Sequence, residues 1–315
     1  MYRSLLVPLD RSSFAEHALP LALSIARRAR ARLDLVAVHA LYALEDPHAG
    51  WCAFDHDRDA ECRRQEQHYL DTTAKRVTAV APVPVTAEVL SGSNVLPETV
   101  AESLLERARV SKTDLIVMAT HGRAPLSRFA LGGVADELVH RANVPILLVR
   151  PDASAPEILP EPTLNNILIP LDSSPLAQQA LGPALDLACL MQARCILLRV
   201  VEPHSAHYVG ANGLPEKAEA EIYLRRIAAR LREQGLQVRT RLIAAGHVAE
   251  AILEEAEVQE INLIALATHG RGGIQRLLLG SVADKLVRLA MCSVLVYRPT
   301  NLAVAPGAGE TVRTA

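Results

Sequence analysis

The sequence has 315 residues, a formal net charge of −2, and a composition that is 50% hydrophobic and only 3% aromatic. This length accommodates two ordinary domains, and the aliphatic composition suits α/β sheets buried on both faces. The near-neutral charge gives no electrostatic basis for binding nucleic acid, and no apolar stretch reaches the roughly 20 residues of a membrane span. The first ten residues do not resemble a signal peptide, and the cysteines are too scattered for a disulfide framework. We therefore expect a cytoplasmic protein that acts neither on nucleic acid nor in a membrane.

Three short motifs occur twice and in the same order along the chain. They are Pro-Leu-Asp at Pro8–Asp10 and Pro170–Asp172, Ala-Thr-His-Gly-Arg at Ala119–Arg123 and Ala267–Arg271, and an Arg-Pro pair at Arg150 and Arg298. Three ordered matches indicate a duplicated domain. The sequence predicts units at 1–150 and 166–299, a proline-rich linker at 151–165 and a flexible tail at 300–315.

The first unit opens with a buried strand over Ser4–Asp10. Ser13 and Glu16 form a capping box, which predicts a helix with an apolar face at Leu19, Leu23 and Ala26. The elements predicted after it are a strand (Leu33–His39), a helix (Asp57–Val80), a strand (Val85–Leu90), a further helix, a strand (Asp114–Ala119), a helix (Val134–Arg141) and a strand (Pro145–Val149).

The second unit repeats this order of elements. Its first helix follows the strand Asn166–Leu171 and begins with Ser174 as N-cap and Pro175 in the first turn. The remaining predicted elements are Ile196–Val201, Pro215–Gln234, Gln237–Ile243, a helix, Asn262–Ala267, Val282–Leu289 and Ser293–Tyr297. The prediction is two tandem doubly wound α/β domains, each with a five-stranded parallel sheet and four helices.

A glycine-containing loop follows the fourth strand of each unit. In the second unit Thr268-His269-Gly270 ends this strand, and Gly280-Ser281 opens the last helix. Glycine lets the main chain approach a bulky anion, and a helix N-terminus supplies N–H donors and positive potential. Ser281 adds a hydroxyl, while Arg271 and Arg276 add charge. The sequence has neither a P-loop nor a dinucleotide fingerprint after its first strand.

These features resemble the universal stress protein family in its tandem two-domain form. The phosphate loop of that family reads G-x2-G-x9-G-[ST], and Ala267, Gly270, Gly280 and Ser281 occupy its positions here. The resemblance implies a fold like that of adenine nucleotide alpha hydrolases, ATP as ligand (which Mg²⁺ can accompany), a role in stress survival, and pairing of the two final strands so that one chain imitates a dimer. The implied nucleotide-binding residues of the second unit are Asp172, Val200, Ala267, His269, Gly270, Arg271, Gly280, Ser281 and Val282. Those of the first unit are Asp10, Val38, Ala119, Gly122, Gly132 and Gly133.

The two units depart from the family pattern to different degrees. Both have alanine for the first glycine, at Ala119 and Ala267, and alanine still leaves room for phosphate. The first unit has Gly133 where the pattern requires a hydroxyl residue, so it loses a side-chain donor worth about 0.5–1.5 kcal/mol. Pro125 also stiffens its loop. We therefore predict the nucleotide site in the second unit and a weakened or empty site in the first.

Simpler interpretations remain for the same residues. The glycine loops could merely turn the chain, and His121 and His269 are better explained as loop-holding side chains than as general bases. Asp10 and Asp172 could serve only as helix N-caps.

Histidine and cysteine residues cluster in a segment of the first unit. Candidate zinc ligands there are His48, Cys52, His56 and Cys62. Because Pro47, Gly50 and Trp51 disfavour a regular helix, we predict no metal and expect an exposed, mobile segment over the first cleft. The remaining cysteines, Cys189, Cys195 and Cys292, are predicted to be inert core thiols.

The predicted function is that of an ATP-binding stress-response regulator with slow or no hydrolysis and no catalytic residues. Nucleotide occupancy would set the conformation or the choice of an unidentified protein partner, and the tandem chain could itself form a homodimer. One alternative is a true ATPase or nucleotidyl-transfer enzyme of related fold. Another is a metal- or thiol-based sensor that uses the segment 48–68.

Overall fold

The computed structural model describes residues 2–40, 43–45, 52–54, 56–92, 97–120, 131–151, 162–203, 215–268 and 279–298. The first half contains strands β1 (Ser4–Pro8), β2 (Arg32–Ala40), β3 (Ala43–Glu45), β4 (Cys52–Phe54), β5 (Val85–Gly92), β6 (Leu115–Ala119) and β7 (Ile146–Val149). Its helices are α1 (Ser13–Glu16), α2 (Ala18–Ala29), α3 (His56–Val80), α4 (Pro97–Val110) and α5 (Gly133–Arg141).

Over its described residues, the second half repeats the order of these elements apart from the β3–β4 hairpin. Its strands are β8 (Asn166–Pro170), β9 (Arg194–Val201), β10 (Val238–Ala244), β11 (Leu263–Ala267) and β12 (Ser293–Tyr297). Its helices are α6 (Pro175–Gln178), α7 (Leu181–Met191), α8 (Glu216–Glu233), α9 (Val248–Val258) and α10 (Ser281–Leu289). No helix in the described part of the chain is both long and apolar enough to cross a membrane.

The two halves share one ten-stranded sheet with the order β10-β9-β8-β11-β12-β7-β6-β1-β2-β5. The pairs of this sheet within a half are parallel, whereas β7 and β12 pair antiparallel, with Leu147 opposite Leu295. The predicted fold of two tandem parallel-sheet domains packed as a pseudo-dimer is therefore confirmed. The antiparallel pair covers two strands that would otherwise be exposed edges.

The first helix of each half is divided into a single turn and a longer helix. Ser174 caps α6 as predicted, because its Oγ accepts a hydrogen bond from the Ala177 N–H at 3.1 Å, and Pro175 lies in the first turn. In the first half the predicted cap, Ser13, is wrong. Ser12 is the N-cap, and its Oγ accepts from the Ala15 N–H at 3.1 Å.

The core consists of two hydrophobic layers, one on each face of the sheet. Alternate residues of β1 face opposite layers: Leu5 and Val7 pack with α2, α3, α7 and α8, while Leu6 packs with α4, α5, α9 and α10. The alternation follows from the two-residue period of a strand. Each layer contains residues of both halves, so the halves share both cores.

Two arginines cross the boundary between the halves, and both come from the duplicated Arg-Pro pairs. Arg150 follows β7 and donates to the carbonyl oxygens of Ala290 and Val287, at the end of α10, at 2.8 and 2.9 Å. Arg298 follows β12 and donates to the His140 carbonyl oxygen in α5 at 2.8 Å. Helix C-termini leave carbonyl groups without intrahelical donors, so each half supplies a cap for the last helix of the other.

Candidate functional site

The candidate site of each half lies where the strand order reverses. The first and fourth strands of a half are neighbours, β1 beside β6 and β8 beside β11, and the chain winds outward from them in opposite directions. Open α/β sheets bind ligands in the crevice at the carboxyl ends of such strands. Asp10 and Thr120 follow these strands in the first half, and Asp172 and Thr268 follow them in the second.

Asp10 and Asp172 hold the loops that begin the first helices. Asp10 Oδ1 accepts hydrogen bonds from the Ser12 N–H at 3.0 Å and the Ser12 hydroxyl at 2.6 Å. Asp172 Oδ1 accepts from the Ser174 N–H at 2.9 Å. The interpretation that these aspartates are themselves N-caps is therefore wrong, since the serines cap the helices. Each aspartate instead orients its capping serine across a residue with left-handed backbone, Arg11 at φ 68° or Ser173 at φ 70°.

The start of the last helix is fixed to the end of the fourth strand by a chain of backbone hydrogen bonds. In the second half the Thr268 N–H donates to the Tyr297 carbonyl oxygen, and the Gly280 N–H donates to the Thr268 carbonyl oxygen, both at 2.9 Å. Gly280 is the N-cap of α10. A Cβ on Gly280 would lie 3.3 Å from the Thr268 oxygen, so the position tolerates little more than glycine.

The first half builds the same arrangement with different side chains. The Thr120 N–H donates to the Val149 carbonyl oxygen at 2.9 Å, and the Gly132 N–H donates to the Thr120 carbonyl oxygen at 2.8 Å. Gly132 is the N-cap of α5, and Gly133 is its first residue. The first-turn N–H groups of both helices lack intrahelical acceptors and carry the positive end of the helix dipole. Both helix starts can therefore receive an anion, and of the two first residues only Ser281 adds a hydroxyl.

The described predicted site residues lie on neighbouring elements. Val38 and Val200 lie near the ends of β2 and β9, Ala119 and Ala267 end β6 and β11, and Val282 lies in the first turn of α10. Four of the implied nucleotide-binding residues lie outside the described part of the chain, Gly122, His269, Gly270 and Arg271, and so do His121 and Arg276. The described residues thus come from the two central strands, their neighbours and the last helix.

Two tyrosines near the aspartates escaped the sequence analysis. Tyr69 donates to Glu16 Oε1 at 2.9 Å, and burial, followed by the Glu16 charge, raises the pKa of its phenol above the usual range. Burial is also the main cause that raises the pKa of Tyr223, which lies beside Gln178 and within electrostatic reach of Asp172. In the sequence each tyrosine is followed by a leucine that is buried, Leu70 or Leu224. A tyrosine beside a core leucine does not indicate a binding site. Only the packing of α3 and α8 on the sheet brings them there.

The first cleft is bordered by a buried charged cluster that is centred on a histidine. His39 is 1% exposed, and its Nδ1 lies 2.7 Å from Glu66 Oε2 while its Nε2 lies 2.8 Å from Asp59 Oδ1. Arg11 lies 4.0 Å from Glu66. The sheet register puts Val201 at the position equivalent to His39. Two residues before Val201 on β9, the second half has an arginine, Arg199, which pairs with Glu216 at 3.1 Å.

The four candidate zinc ligands do not form a helical set. His48 lies outside the described residues, Cys52 begins β4, His56 begins α3, and Cys62 lies within α3. Among the side chains that the structure describes, no three His, Cys, Asp or Glu residues form a metal-binding group. Residues 46–51 and 55 lie outside the described part of the chain. That this segment is exposed and mobile over the nucleotide cleft of the first half therefore stays a prediction.

The cysteines of the second half are less uniform than predicted. Cys195 is buried, and burial raises the pKa of its thiol to about 12. Cys292 is half-buried, with a pKa raised by burial to about 11. Cys189 is exposed, so its assignment to the core is wrong. It lies on the solvent side of α7, whose buried positions include Leu187, Ala188 and Met191.

Comparison with known protein families decides the family. The model of the universal stress protein family matches this chain twice, over residues 1–150 and 163–298. The chain belongs to the universal stress protein family. It is a tandem, two-domain member, in which each match covers one set of the duplicated motifs.

This tandem universal stress protein is similar to relatives of known sequence or structure. A universal stress protein of Mycobacterium bovis is 26% identical over 60% of this chain, and the matched region spans 63% of that relative. A solved universal stress protein from Archaeoglobus fulgidus is 18% identical, covers 94% of this chain and 98% of its own, and superposes with a TM-score of 0.71, which shows the fold. A universal stress protein solved in complex with cAMP covers 44% of this chain at 20% identity, with a TM-score of 0.35.

Proposed function

We propose that this universal stress protein binds ATP in its second half and that nucleotide occupancy sets its conformation or its choice of protein partner. The main support for the proposal is the position of the start of α10. There the Gly280 N–H donates to the Thr268 carbonyl oxygen, at the point where the strand order reverses. An anion at this helix start meets N–H donors and the helix dipole. Because Gly280 has no side chain, the start of α10 can lie this close to the Thr268 carbonyl oxygen, from which a Cβ would be only 3.3 Å away.

The second half is the stronger candidate for a chemical reason. Ser281 offers a hydroxyl donor in the first turn of α10, whereas Gly133 offers none in α5. Asp172 and Val200 would contact the adenosine end, and Gly270, Gly280 and Ser281 the phosphates.

We propose the two units at 1–150 and 166–299, with 151–165 as linker. Mg²⁺ can accompany the triphosphate, because phosphate oxygens and water molecules can supply most of its ligands.

Calorimetric titration of ATP into the full chain tests the site. Gly280→Trp should abolish binding, because its side chain fills the phosphate cradle. Gly132→Trp, the same change in the first half, should leave the main binding event intact. Gly246→Trp controls for bulk, since a Cβ at that position would have no neighbouring atom within 4 Å. Equal ATP affinity in wild type and Gly280→Trp would show that α10 is not the phosphate site. cAMP is titrated in parallel to compare adenine nucleotides.

Turnover should be slow or absent because no described side chain at the start of α10 is placed to activate water. A positioned general base typically contributes 10²–10⁴-fold. His269 is the nearest histidine in sequence, and we expect His269→Ala to change ATP affinity or stability more than any hydrolysis rate. Single-turnover assays with radiolabelled ATP measure this. A wild-type rate of about 1 s⁻¹ or more, reduced roughly a hundredfold by His269→Ala with binding intact, would favour a true ATPase.

A further inference from the structure

A cavity lies at the amino ends of the strands, opposite the carboxyl ends that form the candidate nucleotide site. It has a volume of about 390 Å³ and is located where β9 and β10 begin. Its lining residues are Ile196, Arg232, Arg239, Thr240, Arg241 and Gln259. Three of these six are arginines, and none of the six is acidic.

The positive charge of this cavity is only partly neutralised by the protein. Arg241 donates from Nε and Nη2 to the two carboxylate oxygens of Glu255, at 2.7 and 3.1 Å. Arg232 donates to a backbone carbonyl oxygen, that of Val238, at 3.1 and 2.7 Å, and so keeps its full charge. Arg239 is exposed, and within the described ranges it makes no hydrogen bond or ion pair through its side chain. Two guanidinium charges therefore face the cavity without a carboxylate partner among the described residues.

The first half shows what occupies the equivalent place. Asp34 is 1% exposed, and its Oδ1 accepts from the Thr86 hydroxyl at 2.8 Å. Its Oδ2 lies 3.4 Å from Arg32 Nε, which in turn donates to Ser4 Oγ at 3.1 Å. The first half thus has an internal carboxylate that is bound on two sides.

The sheet register relates these residues to the cavity one by one. Asp34 lies between Leu6 and Thr86, and Ile196 lies between Leu168 and Arg239. Asp34 and Ile196 are therefore equivalent, as are Thr86 and Arg239. Two residues further along, Glu88 pairs with Arg107 at 2.9 Å, and the equivalent pair in the second half, Arg241 with Glu255, has the opposite polarity.

We propose that this cavity binds a small multivalent oxyanion, a ligand that carries phosphate or carboxylate groups. Where the first half has the internal carboxylate of Asp34, the second half has Ile196, with Arg239 beside it. An external oxyanion would supply the missing negative charge there. Arginine suits this role because its planar fork matches the oxygens of carboxylate and phosphate. The site is separate from the nucleotide cleft, since it lies at the amino ends of the strands.

The test is a titration of the full-length protein with inorganic phosphate and, separately, with citrate. Arginine Nε–Hε signals in ¹⁵N NMR spectra report binding at Arg239 and Arg232. We expect saturable shifts of both signals, and the anion that saturates at lower concentration identifies the preferred group. Arg239→Thr, which installs the residue of the first half, should weaken binding roughly tenfold or more, as the loss of one charged hydrogen-bond donor predicts.

Three further variants distinguish this site from non-specific attraction of anions and from the nucleotide cleft. Ile196→Asp restores the internal carboxylate and should abolish binding of the added anion. Arg230→Thr removes an exposed arginine of α8 that does not line the cavity, and Gly280→Trp blocks the proposed phosphate cradle of α10. Both should bind as wild type does. Non-saturating shifts, or equal affinities for wild type and Arg239→Thr, would overturn the proposal and leave the arginines as charges that protect the β10 edge from aggregation.

Discussion

At the scale of single residues, the two halves differ at polar positions on the strands of the sheet. His39 occupies a position that is Val201 in the second half, and its ring contacts a carboxylate at each nitrogen. Such a ring separates two acidic side chains that would otherwise face each other, Asp59 and Glu66. Because the ring is nearly fully buried, its removal should cost far more than the loss of a surface ion pair.

The residue-scale prediction is that His39→Val destabilises the protein by about 3–5 kcal/mol, because it leaves two partly buried carboxylates without their common partner. Urea unfolding with fluorescence and circular dichroism measures the change. His140→Val is the matched control, since among the described residues that ring has one partner within hydrogen-bond distance, the Asp136 carbonyl oxygen at 2.7 Å. Its cost should stay at about 1 kcal/mol. Similar losses for the two variants would contradict the special role of the His39 cluster.

At the scale of elements, α5 and α10 are equivalent helices that begin at equivalent glycines and differ in the next residue. Gly133 begins α5 and Ser281 begins α10. Both helix starts are anchored through a threonine to the final strand of their half. Because of this anchoring, the sheet fixes the direction in which the first-turn N–H groups point. The side chain of the first helical residue then adjusts the strength of anion binding.

Exchange of these first residues should therefore move nucleotide affinity between the halves. Ser281→Ala should weaken ATP binding by about 1.5–3 kcal/mol, the value of one hydrogen bond to a charged group. Gly133→Ser should strengthen binding in the first half, which calorimetry would detect as a binding event in the Gly280→Trp background. Unchanged affinity in both variants would mean that the hydroxyl does not contact phosphate.

At the scale of the whole molecule, the halves are joined by a strand pair, shared cores and reciprocal arginine caps. Val294, Leu295 and Val296 of β12 pair with β7, and all three are at most 2% exposed. Arg150 and Arg298 each hold the last helix of the other half. A half on its own would expose an apolar strand edge and leave an arginine without its helix.

We expect each half expressed alone, residues 1–150 or 163–298, to self-associate or precipitate. Exposed apolar strand edges pair with other chains, and a homodimer through β7 or β12 would recreate the missing contact. Sedimentation velocity of the separate halves and of their mixture measures this, with the full chain as reference. Two monomeric halves that do not bind each other would contradict the proposed dependence.

The sequence by itself determined the duplication, the order of the strands in the large sheet and of the longer helices, and the glycines that begin the last helices. The β3–β4 hairpin and the division of each first helix into two were not predicted. The predicted features depend on strand and helix periodicity and on local caps, and such interactions extend over only a few residues. Even there the sequence placed the cap at Ser13, and the structure corrects it to Ser12, because Asp10 holds Ser12 in place across the left-handed Arg11.

Only the tertiary structure decided which distant residues meet. The arginine caps join residues 140 and 158 positions apart, Arg150 with Ala290 and Arg298 with His140. The His39 cluster joins β2 with α3. The exchange of Asp34 for Ile196 became visible only once the sheet register made the two positions equivalent. Such contacts have no period in the sequence, because they depend on strand order and register, which the whole core fixes together.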